Sequence, residues 1–435
     1  MGARETALNA LIACRKSGAW SNTVLKEYIA RDRLSPRDAA LATRLCYGVL
    51  QNRNKLDFYL KQLLTGRLKD LHPVVRDTLH LGLYQIYELD KVPESAAVNE
   101  SVTLAKKYCK NPKAGALVNA VLRKAAATKG TLQEPVSYAD RYSHPDELIS
   151  LLKANLPKGK LEPMLIADNA APRTVVQVNT LRISAEELAG RLTAEHVCVK
   201  PHEWMADCLV LSGTGSLEQM PAFREGLFYV QDPAAKLSVL CAGLPESGGN
   251  VLDCCAAPGG KSFAAAIAMG GRGSIVSCDI YPHKTALIEN GAARLGLTNI
   301  TAHQQDASQV VPEWVGAMDT VIADVPCSGL GIIRKKPDIR YKNLKELEDL
   351  PALQLKILET QASYVRPGGT LLYSTCTVLK RENEDVVSAF LAAHGEFTTE
   401  PLPGVFPKNE TGMLTLIPGE YDTDGFFICR LRRKA

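Results

Sequence analysis

Two cysteines stand in sequence contexts that would allow covalent chemistry on a pyrimidine ring. Cys327 lies in Asp324-Val-Pro-Cys-Ser-Gly after one predicted buried strand, and Cys376 lies in Ser-Thr-Cys-Thr after another. If both strands belong to one parallel sheet, both thiols face the crevice at the carboxyl ends of its strands. A thiolate that adds to carbon 6 of a pyrimidine makes carbon 5 nucleophilic enough to take a methyl group. A second group must then remove the proton from carbon 5, and the residues alone leave open which thiol has which role.

The carboxyl group of Asp324 precedes the first cysteine by three positions. It could hydrogen-bond N3 and the amino group of the base and so offset the negative charge that develops on addition. A free cysteine titrates near pH ~8.5. The attacking thiol therefore needs activation by its strand-end setting or by a nearby cation.

Residues 250–279 predict a βαβ unit that could cradle the methyl donor: a short strand, a glycine loop, a helix opening at Lys261, and a second strand ending at Asp279. The helix start points N–H groups at an anionic group, and a strand-end acid can hydrogen-bond a ribose diol. The candidate loop residues are Cys255, Ala256, Ala257, Pro258, Gly259, Gly260 and Lys261.

Three ligands compete for such a cradle. The Gly-x-Gly-x-x-Gly pattern of NAD sites is absent. The P-loop pattern for ATP is missed by one residue, because Cys255 stands where its first glycine belongs, although Asp324 would pass as the Mg²⁺-binding carboxylate. S-adenosylmethionine fits better, since its carboxylate suits the helix start and its ribose suits Asp279.

The amino-acid composition limits the class of protein, its location and the kinds of site that it can contain. A chain of 435 residues with 46% hydrophobic and 23% charged residues is typical of globular proteins of two or three domains. It has no long apolar run and no apolar N-terminal signal region, so we expect a cytoplasmic protein without a membrane partner. Its 12 cysteines form no Cys-x-x-Cys pair, which argues against a metal site.

Charge is distributed unevenly along the chain. Residues 1–130 contain 22 Lys and Arg against 11 Asp and Glu, whereas the remaining residues contain 29 against 36. This imbalance predicts a basic module that meets a polyanion and an acidic module that meets a small ligand.

The hydrophobic patterns predict four segments. Residues 1–128 are predicted to be helical almost throughout, with a helix start at Ser35-Pro36, and residues 129–172 to form a linker with short helices. Residues 173–233 alternate as a small α+β module, and residues 234–435 as a doubly wound, Rossmann-like α/β domain with a terminal antiparallel hairpin. Polar residues that fall at the carboxyl ends of its strands are Asp253, Asp279, Asp306, Asp324 and Cys376.

These motifs resemble the Nop2/Sun-type RNA cytosine-C5 methyltransferases. The resemblance rests on the loop Cys255-Ala-Ala-Pro-Gly-Gly-Lys, on Asp324-x-Pro-Cys-Ser-Gly, and on Ser374-Thr-Cys-Thr with Glu382-Asn-Glu. Residues 1–128 are similar to NusB-like RNA-binding domains, notably in the stretches 92–100 and 115–123. The resemblance covers essentially the full length.

The resemblance implies a seven-stranded, S-adenosylmethionine-dependent domain that methylates carbon 5 of a cytosine in 16S ribosomal RNA as a monomer. It implies that Cys376 is the nucleophile and that Cys327 assists product release. It also implies that the 255–261 loop, Asp279, Asp306 and Asp324 line the cofactor site. The family commonly has Arg where Lys284 stands, and Lys loses the fork geometry of Arg.

Three other functions remain open from the residues: a non-catalytic RNA-binding assembly factor, a methyltransferase of another RNA such as tRNA, and a P-loop-like ATPase.

Overall fold

The computed structural model describes residues 1–109, 111–245, 247–404 and 409–435. Their contacts divide the chain into two compact units. The helical unit comprises residues 1–154 together with 333–342, and the sheet unit comprises residues 155–332 and 343–435. Within these described ranges, no helix is long and apolar enough to cross a membrane.

The helical unit is built from amphipathic helices whose apolar faces form one core. Ser35 caps its helix through the N–H of Asp38, and Pro36 occupies the first turn, as the sequence predicts. The helices are α1 (Ala3–Ser17), α2 (Ser21–Arg31), α3 (Pro36–Gln51), α4 (Arg53–Leu63), α5 (Pro73–Glu88), α6 (Glu94–Tyr108), α7 (Lys113–Ala127), α8 (Tyr138–Arg141) and α9 (Asp146–Asn155).

A segment distant in sequence completes the helical unit. Residues 333–342 follow the Cys327 motif in the chain but pack among the N-terminal helices. The guanidinium of Arg340 is buried and donates to the carbonyl oxygens of Gln51 and Tyr142, while the Tyr341 hydroxyl donates to the carbonyl of Leu50. Residues 129–154, which the sequence predicts as part of a linker, also belong to this unit. The domain boundaries at 128, 172 and 233 stay a prediction.

The sheet unit begins with a small antiparallel sheet of strand order β2-β3-β1-β4. A capping box formed by Ser184 and Glu187 starts α11, whose Leu188 and Leu192 are buried under this sheet. The elements are α10 (Leu161–Asn169), β1 (Thr174–Val178), α11 (Ala185–Ala194), β2 (Cys198–Pro201), β3 (Cys208–Ser212), α12 (Pro221–Arg224) and β4 (Phe228–Val230).

A larger sheet follows, in which seven strands lie in the order β10-β12-β9-β8-β5-β6-β7 and an eighth, β11, pairs with β12. Strands β5 to β9 are parallel, and the C-terminal strands are antiparallel, which confirms the predicted hairpin. The elements are α13 (Pro233–Cys241), β5 (Asn250–Asp253), α14 (Gly260–Ala268), β6 (Ser274–Asp279), α15 (Pro282–Leu295), β7 (Ile300–Gln304), β8 (Met318–Asp324), α16 (Leu350–Ala362), β9 (Val365–Thr375), α17 (Glu384–Ala393), β10 (Phe397–Thr399), β11 (Met413–Leu416) and β12 (Phe426–Arg433).

One predicted helix differs in its extent and its buried face. The apolar pattern at Leu347, Leu350, Leu353 and Ile357 predicts a single helix, but α16 begins only at Leu350. Leu347 lies in a separate 3-10 turn, because a proline in the first turn of α16 fixes the helix start. Leu353 is 40% exposed, so the buried stripe does not include it.

Candidate active site

The predicted site residues gather at the carboxyl edge of the parallel strands. Asp253, Asp279 and Asp324 are the last residues of β5, β6 and β8. Asp306 lies two positions after β7, and Cys376 directly follows β9. Strand β5 lies between two strands. On one side is β6, which follows it in the chain, and on the other is β8, which leads into the Cys327 turn. This is a topological switch point, where α/β sheets bind ligands.

The two thiols expected to face one crevice are in direct contact. Cys327 Sγ lies 3.1 Å from Cys376 Sγ, and both cysteines are free. The hydrogen bond to Cys376, burial, and the negative charges of Glu382 and Asp324 raise the pKa of Cys327 well above its usual value. Cys327 therefore keeps its proton, and either sulfur can be the donor in the hydrogen bond between the two thiols.

A buried carboxylate holds the Cys327 turn in place. Glu382 is 0% exposed, and its Oε2 accepts hydrogen bonds from the backbone N–H of Ser328 and from Nε2 of Gln354. The same Gln354 amide donates to the carbonyl of Pro326, so both residues that flank Cys327 are fixed. Hydrogen bonds to a charged acceptor are the stronger kind, contributing roughly 1.5–3 kcal/mol each.

The Cys376 turn is fixed to the Cys327 turn and to the start of α17. The Ser328 hydroxyl donates to Thr377 Oγ1, and the backbone N–H of Gly331 donates to the carbonyl of Cys376. Asn383 accepts from Thr375 Oγ1 and donates to the carbonyl of Thr377, so it binds both neighbours of the cysteine. The thiols thus meet on a preorganised frame rather than on two independent loops.

Asp324 and Lys261 form an ion pair beside the thiols. Lys261 Nζ lies 2.6 Å from Asp324 Oδ2, and the Ser374 hydroxyl donates to Oδ1 of the same carboxylate. Burial acts to lower the pKa of Lys261, but the charge and hydrogen bond of Asp324 outweigh it, and the negative charges of Asp253 and Cys376 add to the rise. Lys261 is therefore a permanent cation in the electrostatic field of Cys376.

The glycine loop between β5 and α14 is tightly shaped. Gly259 has φ +111°, and a Cβ there would lie 2.3 Å from the Phe263 ring, so only glycine fits. The backbone N–H of Ala256 donates to the carbonyl of Cys278, which joins the loop to the end of β6. At the start of α14, the Ser262 hydroxyl donates to the carboxylate of Asp253, and the Ser277 hydroxyl donates to the oxygen of Ser262.

The second strand end carries the predicted ribose-binding acid. Asp279 is buried, and its Oδ1 accepts from the backbone N–H of Tyr281. The Lys284 ammonium lies 3.5 Å from this oxygen and 4.9 Å from the centroid of the Tyr281 ring. At the next strand end, Asp306 Oδ1 accepts from the backbone N–H of Ser308. The Lys284 ammonium therefore pairs with the Asp279 carboxylate, although lysine lacks the planar guanidinium that arginine has at this position in the family.

The sequence reasoning missed several residues that position this site. Glu382 belongs to one of the sequence motifs and Ser374 lies two positions before Cys376, but neither pattern predicts a positioning role. Gln354 carries a sequence signal that could have found it, because its amide stands among apolar neighbours in a predicted helix. Ser262 and Ser277 carry no pattern that distinguishes them from other small residues.

Three family profiles match the chain. The profile described as "16S rRNA methyltransferase RsmB/F" matches residues 242–432, the NusB family matches residues 1–127, and a "Methyltr_RsmF/B-like, ferredoxin-like domain" matches residues 144–218. A Bacillus subtilis (strain 168) protein, "Probable ribosomal RNA small subunit methyltransferase B", is 36% identical to this chain and covers 99% of it and 98% of its own length. The chain belongs to the RsmB/F methyltransferase family. It is therefore an enzyme, and the predicted methyltransferase fold with a NusB-like N-terminal part is confirmed.

Two solved structures have a similar fold. The crystal structure of PH0851 covers 100% of this chain and 99% of its own, with a TM-score of 0.81 and 25% sequence identity. The structure of NSun6 from Pyrococcus horikoshii with SFG covers 67% of this chain and 98% of its own, with a TM-score of 0.59 and 21% identity.

Proposed function

We propose that the enzyme transfers a methyl group from S-adenosylmethionine to carbon 5 of a cytosine in 16S ribosomal RNA, through a covalent bond between Cys376 and carbon 6. The observation that carries this proposal is the contact of 3.1 Å between Cys327 Sγ and Cys376 Sγ at the ends of neighbouring turns. Methylation of a base nitrogen or of a ribose hydroxyl needs no thiol pair. Attack on carbon 6 followed by proton removal from carbon 5 needs two groups in one place.

The strand-end residues fit S-adenosylmethionine. Asp279 stands where a ribose diol is held in folds of this type, and the Gly259 turn lets backbone approach a ligand closely. The 255–261 loop, Asp279, Lys284 and Asp306 would hold the cofactor. The NSun6 structure with SFG, an analogue of S-adenosylmethionine, is consistent with this ligand class. When bound, the cofactor supplies an electrophilic methyl group.

Cys376 acts as the nucleophile. Cys327 keeps its own proton, and its thiol lies 3.1 Å from Cys376 Sγ, close enough to donate a hydrogen bond when Cys376 reacts as the thiolate. The Lys261 cation lowers the energy of the same thiolate. The Cys376 sulfur forms a bond to carbon 6 of the cytosine, and the electron pair of the 5,6 double bond moves so that carbon 5 becomes nucleophilic.

Asp324 orients the base, and Cys327 completes the reaction. Each carboxylate oxygen has two lone pairs, so Asp324 can accept from the cytosine amino group while it holds Lys261 and Ser374. When Cys376 Sγ is bonded to carbon, it no longer raises the pKa of Cys327. Cys327 then releases its own proton to solvent water, and the resulting thiolate accepts the proton of carbon 5. The electron pair of that C–H bond restores the double bond, and the bond between sulfur and carbon 6 breaks.

The test is incubation with S-adenosyl-[methyl-³H]methionine and 16S ribosomal RNA transcribed in vitro, followed by nucleoside analysis. The expected product is tritiated 5-methylcytidine. Tritium in another nucleoside would contradict the cytosine-C5 chemistry, and incorporation only with tRNA would contradict the ribosomal substrate. The monomeric state remains a prediction, and sedimentation of the purified protein tests it.

A further inference from the structure

The helical unit exposes a tryptophan beside two lysines. Trp20 precedes helix α2 and is 40% exposed. Lys342 Nζ lies 4.7 Å and Lys336 Nζ lies 5.9 Å from the centroid of its ring. We refer to Trp20, Lys336 and Lys342 as the Trp20 surface. An exposed indole beside two ammonium groups offers both a ring for stacking and cations for phosphates.

This surface is assembled from two segments that are far apart in sequence and firmly held together. The Ser21 hydroxyl donates to Asp338 Oδ2 at 2.5 Å, directly beside Trp20 in the chain. The buried guanidinium of Arg340 and the hydroxyl of Tyr341 fix the far end of the lysine-bearing segment to α3. These contacts therefore fix the backbone from which both lysines extend relative to Trp20.

The net positive charge of the helical unit favours a polyanionic ligand at the Trp20 surface. The helical unit contains 29 Lys and Arg against 16 Asp and Glu, whereas the sheet unit contains 22 against 31. The segment 333–342 alone contains five basic residues and one acidic residue. A polyanion is therefore attracted to the unit that carries the Trp20 surface.

We propose that the Trp20 surface binds an unpaired stretch of the RNA substrate, with one base stacked on the indole and neighbouring phosphates at Lys336 and Lys342. This inference rests on the proposed function, because it assumes that RNA is the substrate. A single strand alternates aromatic bases with phosphates, which matches an exposed ring beside two cations. A duplex hides the faces of its bases and does not fit.

The surface is also linked to the thiol site through the chain. Only five residues, 328–332, join Cys327 to the segment that carries both lysines. RNA bound at the Trp20 surface therefore contacts the same stretch of chain that continues into the Cys327 turn.

Binding without cofactor tests the surface independently of methyl transfer. The chain has three tryptophans, so Trp204→Phe with Trp314→Phe leaves Trp20 as the sole indole. An unstructured oligoribonucleotide should quench its fluorescence. In the otherwise unchanged protein, Trp20→Leu should weaken binding about 5-fold or more, whereas Trp20→Phe, which keeps a stacking ring, should bind nearly as the parent does.

The lysines are tested by salt dependence. Lys336→Ala with Lys342→Ala should reduce the slope of log affinity against log salt by about 1.4, the value for two single-strand phosphate contacts. Lys91→Ala with Lys129→Ala removes the same charge from exposed positions outside the surface and should leave the slope unchanged. Unchanged affinity in Trp20→Leu, or equal slopes in the two double variants, would overturn the proposal. If the variants bind RNA more weakly as expected, but the parent protein transfers no tritium, the Trp20 surface is retained and the proposed reaction is rejected.

Discussion

The Lys261 ammonium lies 2.6 Å from Asp324 Oδ2, so the glycine loop and the Cys327 turn share one ion pair. We expect Asp324→Asn to lower kcat/KM for methyl transfer by about 10²–10³, because a charged partner of the reacting base is lost. The tritium assay measures this effect. Asp319→Asn is the matched control at the opposite end of β8, where Asp319 pairs with Arg366. Equal losses of kcat/KM in Asp324→Asn and Asp319→Asn would show that the ion pair between Lys261 and Asp324 has no special role in methyl transfer.

The cysteine roles predict two different outcomes on a denaturing gel. Cys376→Ala should abolish both turnover and covalent capture of RNA, because no thiolate remains to attack carbon 6. Cys327→Ala should permit attack but stall before release, which leaves RNA attached to the protein. Cys198→Ala, at an exposed cysteine on β2, should behave as the parent protein does. A stable RNA adduct on the Cys376 variant would reverse the assignment.

Asp253 predicts a specific dependence of stability on pH. Burial raises its pKa to about 7, although the Ser262 hydrogen bond and the Lys261 charge act in the opposite direction. Between the unfolded value of about 3.9 and this raised value, the folded protein holds a proton that the unfolded chain has released. The contribution of Asp253 to the free energy of unfolding should therefore fall as pH rises through this window, by at most about 1.4 kcal/mol per pH unit.

Asp253→Asn removes this titration while it keeps an acceptor for Ser262. Urea unfolding at a series of pH values should show the variant gaining stability relative to the parent as pH rises. Asp319→Asn is the control, because hydrogen bonds from Asn250 and Arg366 outweigh burial and lower its pKa. Parallel curves for Asp253→Asn and the parent would show that Asp253 is not protonated in the folded state.

We expect substitution of Arg340 to lower the stability of the helical unit strongly. Its guanidinium donates to the carbonyls of Gln51, Tyr142 and Ser143 from a buried position. Arg340→Met should lower the free energy of unfolding by about 3 kcal/mol, since buried carbonyls lose a charged donor. Arg340→Lys should recover part of the loss, because it keeps the charge without the fork. Lys345→Met, at an exposed residue just beyond the segment, should change stability little, and an equal loss there would contradict this role.

The strand-end residues could be predicted because each depends on local sequence. A short apolar strand followed by glycine or an acid places Asp279, Asp324 and Cys376 at one edge once the strands are parallel. The function of Glu382 could not be predicted in this way, because its partners Ser328 and Gln354 lie 54 and 28 positions away. The bond from Arg340 to Gln51 spans 289 positions and leaves no periodic signal. Contacts of this kind follow from three-dimensional packing alone.

The membership of residues 333–342 in the helical unit also constrains when that unit can finish folding on the ribosome. The N-terminal helices are synthesised first, but Arg340 and Tyr341 follow only after the 178 residues from 155 to 332. At ~5–20 residues per second, this delay is roughly 10–40 s. During that interval the nascent helices lack the segment that binds the carbonyls of α3. A fragment that ends at residue 154 would remain in the same incomplete state.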